Sequence, residues 1–327
     1  MDNQNINEKR MRQLRRKQRR RRRMILTFLG ILLAYLAGYM VGSGKMDQTI
    51  ASVSSRDTVD PGSGAGIGKA ENPVQIARNM MNTQEGEITV AAPEDYSEEE
   101  VMQKLESLSE DERYETILNQ MNEYPYELLK DLANNPEMAS FVANYPSLSG
   151  DSGKGSISKE ELKEKCPLFL QWDERWGAFS YGNESMIAVS GCGPTALSMV
   201  IVGLTHNQEA TPDNIADFAM NNGYYLQGTG TKWSLMTEGA AEYKINSEMI
   251  PSDQKRMEQS LDEGGFLICS MGQGDFTLAG HFIVIYGYNK KGFQVNDPFC
   301  LYRSNQEWTY SQLENQIKSI WVLKNEV

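Results

Sequence analysis

The sequence predicts an α+β domain over residues 165–327, and three observations carry that prediction. Helical spacing dominates the first half of this region. After Gly264-Gly265 the period changes to that of strands. The strand-like runs are then joined closely enough to pair antiparallel. The earliest helix is the best marked. Ser190-Gly-Cys-Gly-Pro-Thr195 feeds Leu197, Val200, Ile201 and Leu204, which recur at helical spacing and predict an inward face. Gly191 and Gly193 leave room for close approach of another group, and Pro194 suits a first helical turn. Cys192 therefore falls at a helix start, where unpaired N–H groups and the macrodipole favour negative charge.

The remaining elements follow in order. Leu168 to Gly177 reads as an extended segment with two tryptophans, and Trp172, Trp176 and Tyr181 read as packing residues. Helices are predicted over Pro212–Met220, Lys232–Tyr243 and Asp253–Glu263, the last stopped by Gly264. Strands are predicted over Phe266–Met271, His281–Tyr288 and Gly292–Asp297, with Asn289-Lys-Lys-Gly292 as a hairpin turn. A helix over Tyr310–Ile317 and a strand over Ser319–Leu323 close the chain.

Upstream lie four stretches of different character. Residues 1–23 form a basic tail with eleven Lys/Arg and two Asp/Glu, net +9, while the rest of the chain carries 21 basic and 42 acidic residues, net −21. Met24–Val41 is uncharged over eighteen residues, close to one bilayer's hydrocarbon thickness as a helix. With Arg19–Arg23 abutting it, residues 24–42 are expected to span the membrane once, tail in the cytoplasm and the rest outside, with a cleavable signal peptide as the alternative reading. Anionic lipid is the expected contact of the tail, and the acidic body argues against nucleic acid. Residues 43–96 read as a flexible linker, with one short helix near Pro73–Met81. Residues 97–150 read as a helical stalk or subdomain. Ser97–Glu100 and Ser109–Glu112 look like capping boxes, and Pro125 and Pro136 each lead a shorter helix. An inhibitory segment is the alternative reading of these helices. Residues 147–160 form a Gly/Ser-rich joint.

The chain has two histidines and four cysteines, and the cysteine spacings match no zinc motif, so neither a metal nor another cofactor is expected. A thiol nucleophile needs a base and an orienting group. His206 falls in a polar turn. His281 opens a strand in which it shares a face with Ile283 and Ile285. The hairpin brings the end of the next strand back towards it, so Asp297 is expected beside His281, with Asn296 on the opposite face.

QWDERWG, SGCGPTALSMV, GHFIVIYGY and VNDP together resemble the bacterial papain-fold cysteine peptidase family thirty-nine-like, over roughly residues 165–325. Its founding relatives cut double-glycine leader peptides of bacteriocins. YPYELLKDLANNPEMASFVANYP also resembles what precedes this domain in secreted and anchored members from Gram-positive bacteria. The resemblance implies a papain-like fold with Cys192 as nucleophile, His281 as base, Asp297 as orienting acid and Gln171 as oxyanion-hole donor. Gln171 lies further ahead of the cysteine than in the leader-cutting relatives, which are cytosolic domains fused to export transporters, whereas this domain is expected outside the membrane. The implied activity is hydrolysis of a peptide or protein at the cell surface. A cell-wall amidase or transpeptidase on the same fold, or a silent peptide-binding module, are the alternatives. Cys166, Cys269 and Cys300 have no part in this scheme; a Cys269–Cys300 disulfide and buried free thiols are both open. The predicted topology is checked by adding protease to intact cells: residues 45–327 are digested and the basic tail is spared, whereas a protected C-terminal domain overturns it.

Overall fold

The computed structural model describes residues 88–148 and 155–326. The basic tail, the apolar stretch 24–42, the linker up to residue 87 and its short helix lie outside the described residues. Among the described residues no helix is long and apolar enough to cross a membrane.

The helical segment opens with α1 (Glu98–Ser107), where Ser97 and Glu100 form a reciprocal capping box. The box expected at Ser109 does not form. Asp111 caps α2 (Glu112–Asn119) instead, because its carboxylate takes both the Arg113 N–H and the Arg113 guanidinium. α3 (Tyr126–Asn134) starts after Pro125, and a 3₁₀ turn at Pro136–Met138 leads into α4 (Ala139–Asn144). Val101, Leu105, Tyr114, Ile117, Leu128 and Leu132 bury one shared face. That face packs against Leu170, Trp172, Ala188 and Leu301, so these helices and the following domain share one apolar core.

In the domain itself a single turn, α5 (Ile187–Ser190), precedes α6 (Cys192–Thr205). α6 is buried on every side from Gly193 to Val202, not on one face alone. Its small residues explain this. A side chain on Gly193 would come within 2.5 Å of Thr231 Oγ1, and one on Gly203 within 2.7 Å of the Lys165 carbonyl, so a side chain at the first and backbone at the second close in where a solvent face was expected. α7 (Pro212–Asn221) is capped by Thr211. It is followed by a two-stranded hairpin, β1 (Tyr225–Leu226) and β2 (Gly230–Thr231). The helix expected over 232–243 is broken at Thr237 into a 3₁₀ turn and α8 (Glu238–Ala241), since Thr237 leaves helical backbone with ψ −81°.

The main sheet has six antiparallel strands in the order β3-β8-β4-β5-β6-β7. These are β3 (Ile245–Ile250), β4 (Phe266–Met271), β5 (His281–Asn289), β6 (Gly292–Asn296), β7 (Glu307–Trp308) and β8 (Ile317–Asn325). β3 and β7, at the two edges, have no counterpart in the sequence reading. β3 reads INSEMI and buries only its two isoleucines, too little alternation to signal a strand. The last predicted helix shortens to α11 (Tyr310–Leu313), and β8 starts earlier, at Ile317, because it must pair along both β3 and β4. α9 (Gln254–Asp262) is capped by Asp253, which the sequence predicts inside the helix, and α10 (Leu301–Ser304) follows the hairpin of β5 and β6.

Both faces of the sheet are covered. Phe266, Ile268, Phe282, Val284 and Trp321 meet the α6 side, while Leu267, Cys269, Ile283, Ile285 and Val295 meet the α9 side. Burial on two faces is why β4 is apolar throughout apart from Ser270. Cys269 lies in the second of these cores and Cys300 caps α10, its sulfur accepting the Arg303 N–H, so the disulfide weighed between them does not form; all four cysteines are free thiols. Gly203→Ala is expected to lower stability by about 1–3 kcal/mol, because its methyl group meets backbone that cannot rotate away. Thermal unfolding with and without the substitution measures it.

Candidate active site

Gly191 ends one short turn and caps the next helix, which makes Cys192 the first residue of α6. The thiol is half-buried, whereas Cys166, Cys269 and Cys300 are buried. Burial pushes the Cys166 thiol up to about 12 and holds Cys269 and Cys300 high as well. Beside Cys192 stands Tyr181, fully buried, with its hydroxyl 2.8 Å from Thr231 Oγ1. Burial holds that phenol protonated, and the nearby Cys192 adds to the effect.

His281 is the first residue of β5 and pairs with Met271 of β4. Its Nε2 donates to Asp297 Oδ1 over 2.7 Å, which leaves Nδ1 for another partner. Cys192 lies near enough to the same ring to affect its titration. Burial works against the imidazolium, but the Asp297 carboxylate and Cys192 outweigh it and raise His281 to about 9. Asp297 is fully buried and held down to about 2: burial favours its neutral acid, while the charges of Arg303 and His281 override that.

Asp297 reaches His281 by a different path from the one the hairpin predicts. The β5–β6 ladder shifts register between Ile285 and Gly287 and stops at Val284 opposite Asn296. One step further would set Asp297 level with Ile283, one same-face step from His281. The chain turns out of the sheet there at Pro298, and the carboxylate closes the gap. Asn296 faces the other way, as expected, and its Nδ2 donates to the Cys166 and Pro167 carbonyls.

Gln171 is buried between the two halves of the site. Its backbone N–H donates to the Pro298 carbonyl at 2.6 Å, and its Nε2 donates to the Ala188 carbonyl at 2.7 Å. It is thus tied one residue past Asp297 and four residues before Cys192. The second Nε2 hydrogen is not used by the Ala188 bond. His206 is exposed at the end of α6 in a left-handed conformation, Nδ1 3.1 Å from the Leu162 carbonyl. The structure therefore brings Cys192, His281, Asp297 and Gln171 into one region and leaves His206 outside it.

Residues 163–326, which carry all four of these side chains, match the sequence profile of the Peptidase_C39 like family. The chain belongs to the Peptidase_C39 like family. Membership points to a cysteine peptidase, and the family match begins beyond the helical segment. No curated protein matches the chain.

Sequence reasoning missed one charged member of this Peptidase_C39 like site. Arg303 is buried, and its Nε donates to Asp297 Oδ2 over 2.6 Å. Asp297 also accepts the Phe299 N–H on Oδ1, and its own N–H donates to Ser304 Oγ. The signal available was an arginine six residues past the aspartate in a turn, a spacing with no periodicity to mark it. The pair His281–Asp297 should show in the pH dependence of folding. His281 is raised from 6.5 to about 9, so its contribution is complete below 6.5 and is lost as pH rises through about 9. Asp297 is lowered from 3.8 to about 2, so its contribution is complete above 3.8 and is lost as pH falls towards 2. Melting temperatures of the parent protein should fall on both sides of that plateau. Asp297→Asn in the same background should flatten the alkaline fall; an unchanged alkaline fall contradicts the pairing.

Proposed function

We propose that this chain is a thiol peptidase working through Cys192, His281 and Asp297, held outside the cell membrane by residues 24–42 and acting there on a peptide or protein. The observation that carries the reading is the buried Asp297–His281 bond, which spends Nε2 and leaves Nδ1 for the half-buried thiol at the α6 start, the proposed partner of that nitrogen.

The chemistry follows from those roles. In the proposed pair the proton of the Cys192 thiol rests on the His281 ring. The Cys192 sulfur attacks the substrate carbonyl carbon and forms a C–S bond while the carbonyl oxygen takes up negative charge. The Cys192 N–H, which has no intrahelical acceptor at the first helical position, and the second Nε2 hydrogen of Gln171 are the proposed donors to that oxygen. His281 then passes its proton to the leaving amine as the C–N bond breaks. Water attacks the thioester, His281 takes the water's proton, and the C–S bond breaks to restore the thiolate. Asp297 stays ionised throughout, keeping the ring oriented.

Iodoacetamide labelling of the full-length protein at pH 6–7, read by peptide mass, tests this reading. Cys192 should label much faster than free cysteine, and the three buried thiols slowly. Cys192→Ala should lose labelling and hydrolysis and keep its fold. Asp297→Ala should slow hydrolysis by about 10²-fold or more, and Asp297→Asn by less, since it keeps an acceptor for Nε2–H. Hydrolysis that survives Cys192→Ala contradicts the assignment. The alkaline limb of activity should fall near pH 9, where His281 loses its proton.

A further inference from the structure

The Asp297 turn is held from outside as well as from within. Residues 297–304 carry both Asp297 and Arg303, and three side chains from elsewhere fasten the turn's backbone. Trp172 Nε1 donates to the Phe299 carbonyl at 2.8 Å. Asn135 Nδ2 donates to the same carbonyl at 2.6 Å. The Glu137 carboxylate accepts the Leu301 and Tyr302 N–H groups, each at 2.8 Å. Asn135 is fully buried, and its Oδ1 accepts the Glu137 N–H, so the two residues brace each other. Trp172 lies inside the family-matched region, whereas Asn135 and Glu137 lie before it, between α3 and α4.

Phe299 links this outer bracket to the reacting groups. Its carbonyl is held by Asn135 and Trp172, and its N–H donates to Asp297 Oδ1, the oxygen that also accepts His281 Nε2. A shift of the Phe299 peptide therefore moves the carboxylate that orients the ring. The apolar contacts run the same way: Leu128, Leu132 and Met138 pack with Leu170 and Trp172, which flank Gln171, and with Leu301.

We propose that the helical segment is a working part of the active site, with Asn135 and Glu137 as positioning residues that hold Asp297, and through it His281, in register. The proposal rests on the triad reading above. A detachable inhibitory segment would have the opposite property, since its removal would release activity. Here removal takes the acceptor from two backbone N–H groups and a donor from Phe299, and loosens the turn.

The charged and titratable groups around this network are few. His281 faces Asp297 and Cys192, and it is within electrostatic reach of Asp131 on α3. Asp131 itself faces Glu127 and Lys130. Arg303 faces Asp297, Cys300 and Glu137. A loosened turn weakens the Asp297 contact, so the His281 midpoint should fall.

The test uses the full-length chain with ¹⁵N-labelled histidine. The chain has two histidines, so the imidazole spectrum carries two sets of signals, and exposed His206 serves as the internal reference. The variants are Asn135→Ala, Glu137→Ala and Glu137→Gln. Both alanine variants should lower the His281 titration midpoint by about one pH unit. They should also slow iodoacetamide labelling of Cys192 at pH 6 by about 10-fold, as a small misplacement does. Glu137→Gln keeps an acceptor for one of the two N–H groups and should fall between them and the parent protein, with His206 unchanged throughout. If the alanine variants do not fold, Glu137→Gln decides alone by the same two measurements. A His281 midpoint and a labelling rate equal to the parent's in every folded variant, whatever the loss of melting temperature, overturn the proposal. Parent Cys192 labelling no faster than free cysteine defeats the peptidase reading instead, and the His281 midpoint still judges the positioning role.

Discussion

A carboxylate with no access to water sits at the centre of this fold. Asp297 is fully buried, and an unpaired ion there would cost several kcal/mol. Its partners therefore dictate local structure on three sides. Arg303 must fold back within six residues and bury its own guanidinium, His281 must stand at the open end of β5, and the Phe299 N–H must turn inward. Removing any one partner leaves charge in a low-dielectric interior, so the turn after β6 has little freedom to adopt another shape. The geometry that orients His281 is then a by-product of satisfying a buried ion.

The same constraint explains how an imidazole carried by another layer is held near a half-buried thiol. α6 is enclosed by the sheet on one side and by loops and the β1–β2 hairpin on others, and its glycines let backbone come close. Enclosure fixes the helix start, and Gln171 ties that start to the Asp297 turn by bonding Ala188 with its side chain and Pro298 with its backbone. The two halves of the site are cross-linked by hydrogen bonds as well as by packing, which suits a reaction that needs its groups held within fractions of an ångström.

The helical segment enters the same network from the opposite direction. Its apolar face alone would make it a neighbour; Asn135 and Glu137 make it a contributor, because they occupy backbone groups of the very turn that bears Asp297. The support of the Asp297 turn thus comes partly from outside the family-matched region.

Much of this was legible in the residues. The helix start at Cys192, the capping at Ser97, the strands of the hairpin and the opposite faces of Asn296 and Asp297 all follow from local chemistry with a short period: caps, turns and alternation act within a few residues. The placement of His281 beside Asp297 was legible in outcome but not in path, since the register shift at Ile285–Gly287 leaves no mark in composition. Tertiary structure alone decided the rest. The edge strand β3 exists because β8 offers it a partner, α6 is buried all round because other segments close on its glycines, and Arg303, Asn135 and Glu137 join the site through contacts between groups up to 165 residues apart. Such contacts depend on where the burial of charge and apolar surface brings distant segments together, and no local pattern encodes a distance of that kind.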